Sequence, residues 1–577
     1  MQTLLKSLIL LAVGLVATAP AATRAPARAS HAMVASGHEL ASRAGVEVMR
    51  QGGNAVDAAV ATGFALAVVL PEVGNLGGGG FVLLRLADGH AHFLDFREKA
   101  PAAATRDMYL DTKGNPVPEA SVVGYRAIGV PGSVAGLVYA EKKFGKLKLA
   151  QVMAPAIRLA RQGFALSERE ARQFHDPSLA AFPESHRIFQ RDGRYYQPDE
   201  TFQQPELART LERIAADPES FYHGALAQEL AVSIQKGGGL ITAKDLAAYA
   251  VREREPVHGS YRGYEIIGAP PPSSGGIALV ELLNILEGYD LAKLGNGSAE
   301  SVHLMAEAFR RAFFDRAELL GDPDFASVPV ATLMDKHYAA AWRETLNPHR
   351  ASPSAGLRRP VQVFEKLDRM AAVGEPDNTT HYSVIDSAGN AVAVTTTLND
   401  LFGSRVTAEG LGFLLNDEMD DFTSKPGVPN MFGLLQSEAN AIAPGKRPLS
   451  AMSPTIVLKD GRLFLVLGSR GGPRIITTVA EVLVNVIDYG MNIQQAVEAP
   501  RFHHQWMPDV LRVEKDGFSP ATGNRLAAMG HKIQEGYAEG GKWHGHWGDV
   551  ECVAVDPKTG ERLGASDSRD EGKAVGY

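Results

Sequence analysis

Cysteine is almost missing from this 577-residue chain, with Cys552 its single example. One thiol excludes an intrachain disulfide and any zinc or iron–sulfur site built on paired cysteines. Inside the apolar run 550–555 it reads as a small buried hydrophobe. Net charge is also low: 58 Lys+Arg stand against 66 Asp+Glu, and no long block of one sign occurs. That balance excludes the basic footprint of a nucleic-acid binder. With 45% hydrophobic and 21% charged residues the composition is that of an ordinary globular protein.

Long hydrophobic runs are scarce too. The first, in residues 1–22, has one basic residue, Lys6, before an apolar stretch from 8 to 17 and small residues at Ala19, Ala21 and Ala22. This is the layout of a secretory signal peptide and is too short for a membrane span. Export without disulfides points to a bacterial periplasm or a secreted location. The second run, AVDAAVATGFALAVVL at 55–70, contains Asp57 and follows Asn54, a good N-cap. It reads as a buried helix of a large protein, so no membrane span is expected.

Glycine is what the chain has in excess, 59 residues gathered in clusters. The run 77–80 lacks the spacing of a dinucleotide fingerprint, and no Gly-Lys-Ser/Thr follows it. Ser133 lacks the preceding glycine of a nucleophile elbow and reads as a turn entering a helix. His503-His504 and the pair His544 and His546 have no carboxylate cluster to complete a metal site, so no metal is expected. Helical spacing marks 149–161 and 306–320, and strand-like runs lie at 81–86 and 92–96. Beyond residue 379 strand pairs dominate: 380–385 with 391–398, and 455–459 with 463–467. Residues 413–415 read as a further apolar strand, and 475–487 as a helix.

The hairpin at 379–399 is the most informative stretch. Its loop, Ser387-Ala388-Gly389, fits a type I turn closed by a left-handed glycine. Pairing Asp386 with Asn390 then sets Thr395 opposite His381 and Thr397 opposite Thr379, about 4.5–5.5 Å apart at Cβ. Asn399 points to the same face. A threonine-rich ladder gives the same juxtaposition without any function. Three nearby features add chemistry: the acids of 418–421, the hydroxyl-bearing turn 447–454, and the glycine turn 468–474, whose amides suit an oxyanion.

Eight runs spread in order over the chain closely resemble gamma-glutamyltranspeptidases (glutathione hydrolases), members of the N-terminal-nucleophile hydrolase superfamily. They are residues 53–59 (GNAVDAA), 75–81, 95–98 (DFRE), 271–276, 379–383 (TTHYS), 416–422, 448–454 and 468–478. The resemblance implies an α+β fold, a four-layer αββα sandwich, in a precursor that cleaves itself between Asn378 and Thr379. Residues 23–378 become the large subunit and 379–577 the small one, held together as a heterodimer. Freed Thr379 is then both nucleophile and, through its α-amino group, base. An ordinary α-amino pKa of about 7.7–8.0 suits that task.

The same resemblance makes Thr397 the partner of the nucleophile and the amides of Gly471 and Gly472 the oxyanion hole. Arg97 and Ser450 hold the donor's α-carboxylate, while Asn399, Glu418 and Asp421 hold its α-ammonium. A zwitterionic head calls for one cation fork with paired acceptors on the opposite side. The donors are glutathione or other γ-glutamyl compounds, and the acceptors are water, an amino acid or a dipeptide. No cofactor is needed.

Two residues depart from the family pattern. Ala451 stands where many relatives have a second serine, the loss of one donor to a carboxylate (about 1.5–3 kcal/mol). Phe432, in a lid-like segment 426–446, stands where a bacterial relative has tyrosine and cannot donate to Asn399. A looser lid favours hydrolysis over transfer. Ala451 also leaves room for a glutaryl- or cephalosporin-type acylase of the same superfamily. A non-catalytic exported amino-acid-binding homologue is the reading from another class.

Overall fold

The computed structural model describes residues 24–74, 76–360, 379–536 and 547–577. The expected signal segment, Asn75, Asn378 and the pair His544 and His546 lie outside them. Among the described residues no helix is long and apolar enough to cross a membrane.

Two seven-stranded antiparallel sheets face one another. The first runs Lys573–Gly576, Met33–Ser36, Thr380–Ile385, Ala391–Thr397, Gly79–Arg85, Ala91–Phe96, Arg252–Arg254. Its alternating side chains serve two cores. Val34, Val384 and Val394 pack with the helices Glu39–Arg50 and Ala55–Val69. Ile385, Ala393 and Phe81 instead join the core shared with the second sheet. That sheet centres on Thr455–Lys459, Arg462–Arg470 and Asp549–Val555, and helices Gly275–Leu286, Ala299–Leu319 and Arg474–Ile487 belong to the same core. The layers are therefore helix, sheet, sheet, helix. This is the expected αββα sandwich.

Local signals account for most elements. Asn54 accepts from the amides of Val56 and Asp57 at 2.8 and 3.1 Å, while the Asp57 carboxylate accepts from Asn54 N–H at 2.7 Å. This reciprocal cap starts a helix that is buried along its whole length. The long helix begins at Ala299, earlier than its apolar spacing shows, because Ser298 caps it through Ser301 N–H at 3.1 Å. Residues 413–415 are not a strand. They fold back on the preceding turn, with Leu415 N–H to Val406 O at 2.9 Å and Ala408 N–H to Phe413 O at 2.9 Å. They make only single bridges, Leu414 to Thr407 and Leu415 to Gly77, and no ladder. Cys552 is fully buried in its strand.

The glycine run has a packing cause. A Cβ on Gly78 would sit 2.0 Å from Thr397 O, and one on Gly80 2.3 Å from Thr395 O. Side chains there would push the strand off its partner and open the end of the hairpin.

Candidate active site

The hairpin has the register its loop requires: His381 pairs with Thr395 and Thr380 with Thr396. Gly389 closes the turn at φ 89°. Thr379 sits one residue beyond the ladder, and its Oγ1 lies 3.4 Å from Thr397 Oγ1. Both threonines are buried. Thr397 Oγ1 also accepts the Asn399 amide at 2.9 Å. Asn399 is held at φ 83°, a left-handed conformation that asparagine tolerates better than most residues. There its Nδ2 donates to Asp417 O at 3.1 Å and faces Met431 Sδ at 3.6 Å.

These groups line a pocket of about 310 Å³. It brings together Thr379, Thr397, Arg97, Asn399, Glu418, Asp421, Ser450 and Gly472 from segments far apart in sequence. Gly471 lies one residue behind the wall. Gly471 and Gly472 have φ of 123° and 50°, so both need glycine, and the helix Arg474–Ile487 starts just after them. A helix N-terminus near Thr379 favours developing negative charge.

The charges are arranged differently from the sequence expectation of opposite sides. Arg97 is fully buried, and its two terminal nitrogens pair directly with Glu418 and Asp421. Glu98 follows at 3.6 Å. A guanidinium with no access to water needs such counter-charge. Its Nε donates to Pro448 O at 3.3 Å, next to the Ser450 turn. Burial works against the Arg97 cation, but Glu418, Asp421 and Glu98 outweigh it and hold it charged. Three carboxyls around one cation are in excess. Burial lifts Glu418 well above the usual carboxylate range and Glu98 to about 7, with Arg97 opposing. Burial thus pushes both acids toward their protonated forms, against the pull of Arg97.

The Ser450 turn is fixed from the other side. Ser450 O accepts from Ser274 N–H at 2.8 Å and Ser274 Oγ at 2.6 Å. The segment after Phe422 folds over the pocket, contributing Phe432 and Leu434. It is tied down by Met431 N–H to Asp420 Oδ2 at 2.9 Å. Sequence reading missed Arg316, Met452 and Ile475, which also line the pocket. The arginine-rich helical spacing of 306–320 was the available signal, but no motif marks Arg316.

The family model for gamma-glutamyltranspeptidase matches residues 41–577. The chain belongs to the gamma-glutamyltranspeptidase family. It is 51% identical over 518 residues to the glutathione hydrolase proenzyme of Pseudomonas sp. (strain A14), covering 89% of this chain and 88% of that protein. With the glutathione hydrolase proenzyme of Escherichia coli (strain K12) it shares 49% identity, covering 94% and 91%. The crystal structure of cephalosporin acylase from Bacillus halodurans superposes with a TM-score of 0.83 at 28% identity, covering 96% of this chain and 98% of that one. In this member of the family the 379–399 hairpin lies at the centre of the first sheet.

Proposed function

We propose that this protein is an exported proenzyme that cuts itself before Thr379 and then hydrolyses or transfers the γ-glutamyl group of glutathione and related donors. The observation that carries the reading is the hydroxyl pair Thr379–Thr397 in a buried pocket that also holds Arg97 and two acids.

In the first half-reaction the Thr379 α-amine takes the proton from its own hydroxyl as the oxygen attacks the γ-carbonyl. The oxyanion forms against the Gly471–Gly472 amides. The amine then returns the proton to the departing amino group, leaving a γ-glutamyl ester on Thr379. Water or an amino acid or dipeptide resolves that ester. Thr397, held by the Asn399 amide, steadies the Thr379 oxygen throughout. Arg97 and Ser450 take the donor α-carboxylate, while Asn399, Asp421 and Glu418 take its ammonium. Binding a zwitterion then replaces part of the Arg97–Glu418–Asp421 pairing, exchanging one set of charge-assisted bonds for another. Residues 23–378 and 379–577 remain one heterodimer because both supply strands to the two sheets.

One observation favours an acylase instead: Ala451 leaves a single hydroxyl at the 450–451 turn. The paired acids beside Asn399 favour a donor with an ammonium group, which glutaryl amides lack. Phe432 over the pocket favours water over bulky acceptors.

The test is a denaturing gel of protein from the exported fraction, with N-terminal sequencing of each band. A small chain starting Thr-Thr-His-Tyr, together with release of glutamate from glutathione, is the expected outcome. A single uncut chain without activity would return weight to the binding homologue. Preference for a glutaryl amide over the γ-glutamyl amide would favour the acylase.

A further inference from the structure

Four arginines stand out near the pocket or on the long helix beside it, and three of them are matched by carboxylates. Arg97 holds Glu418 and Asp421. On the helix Ala299–Leu319, Arg310 lies 3.1 Å from Glu307, and Arg311 lies 2.7 Å from it. Arg316, on the same helix and 2% exposed, makes no ion pair among the described residues. Its Nε donates to Ser274 Oγ at 2.9 Å, and its buried Nη1 has no hydrogen-bond partner. A buried guanidinium left this way is unfavourable unless an anion joins it.

The position of Arg316 indicates which anion. It lines the pocket with Thr379, Ser450 and Ala451. Ser274, which it grips, holds the Ser450 carbonyl. Arg316 is thus built into the turn that lost a hydroxyl at Ala451. Two charged groups act on it: Asp421, which favours its cation, and Arg97, which opposes it. Burial lowers its guanidinium to about 10, so it is still a cation at neutral pH.

We propose that Arg316 is a carboxylate-binding residue, which gives the donor's carboxylate the N–H that residue 451 does not supply and so makes the site select donors bearing that group. The inference rests on the γ-glutamyl reading of the pocket. A guanidinium N–H to a carboxylate is a charge-assisted bond of about 1.5–3 kcal/mol, or roughly 10- to 150-fold in affinity.

The experiment uses the processed enzyme and two chromogenic donors, L-γ-glutamyl-p-nitroanilide and 4-aminobutyryl-p-nitroanilide. The second keeps the amine and chain but lacks the carboxylate. Arg316→Gln is expected to raise KM for the first donor by roughly 10- to 150-fold with kcat little changed. It should leave kcat/KM for the second donor as in the parent. Equal losses on both donors, or a fall in kcat alone, would mean that Arg316 only supports the fold.

Ala451→Ser supplies an arm that does not depend on Arg316→Gln folding. With Arg316 present, the added hydroxyl should lower KM for the glutamyl donor by less than about threefold, since the carboxylate is already served. A drop of tenfold or more in that background overturns the inference. Arg316→Lys, which keeps the charge but loses the fork, should give an intermediate KM confined to the glutamyl donor. If the parent enzyme turns over neither donor, the γ-glutamyl reading itself fails, an outcome distinct from any behaviour of the variants.

Discussion

Thr379 and Thr397 meet hydroxyl to hydroxyl at 3.4 Å where the central hairpin of the first sheet opens into the pocket. Thr397 Oγ1 accepts from the Asn399 amide at 2.9 Å and from the Thr379 hydroxyl, so it fixes the oxygen that is to attack. Thr397 is therefore placed to hold the Thr379 oxygen in position for attack. Thr397→Val should lower kcat by roughly 100-fold with KM nearly unchanged, whereas Thr397→Ser should keep most of the rate. Steady-state kinetics on the processed enzyme check this. A valine variant with normal kcat would remove Thr397 from the chemistry.

Arg97 and Asp421 make a second prediction, about stability. Arg97 is fully buried and its carboxylate partners are nearly so, so removing the cation strands negative charge. Arg97→Met should destabilise by about 3–5 kcal/mol, while the double variant with Asp421→Asn recovers part of that loss. Urea denaturation of all three proteins measures the coupling. Strict additivity would mean that the pair is not energetically linked.

Much of this site was legible because it rests on local rules. A three-residue loop with Gly389 fixed the hairpin register, and the register put Thr379 against Thr397. Asn54 announced the buried helix in the same way, while the reciprocal bond from Asp57 emerged only in the fold. The misreadings concern long-range placement. Residues 413–415 have strand-like composition, but only the assembled sheets decide whether an edge is open to them. A zwitterion's chemistry suggested separated charges, yet folding a guanidinium out of water draws Glu418 and Asp421 onto it. Arg316 was missed because nothing in the spacing of this arginine-rich helix separates it from Arg310 and Arg311, which face carboxylates instead. Its neighbours at the pocket arrive from residues 274, 379 and 450.

Gly468 and His381 meet where the two sheets face each other two residues from Thr379. A Cβ on Gly468 would lie 2.4 Å from His381 Cε1 and Nδ1. The ring has little room to yield, since Nδ1 is 2.9 Å from Thr395 Oγ1 and Nε2 3.0 Å from Ser383 Oγ. Gly468→Ala should destabilise by roughly 1–3 kcal/mol. Adding His381→Ser should relieve part of that cost, and thermal melts of the single and double variants decide it. A single variant as stable as the parent would show that the sheets can separate locally.

His381 also gives a pH prediction whose sign is fixed. Burial lowers its folded pKa from 6.5 to about 3, so the native ring is neutral across the working range. Below pH 6.5 the unfolded chain takes up a proton at this site that the folded chain refuses. The imidazole's contribution to stability is thus fully present above about pH 6.5 and falls with acidification by about 1.4 kcal/mol per unit. Other buried acids and histidines titrate in the same window, so the clean quantity is a difference between two proteins. His381→Gln should cost more at pH 7 than at pH 5, with the gap between the two values about 2 kcal/mol. Urea titrations of parent and variant at both pH values give that gap directly. A gap near zero would mean that the folded ring takes up its proton at the ordinary pKa, and a gap of opposite sign that it prefers the charged form.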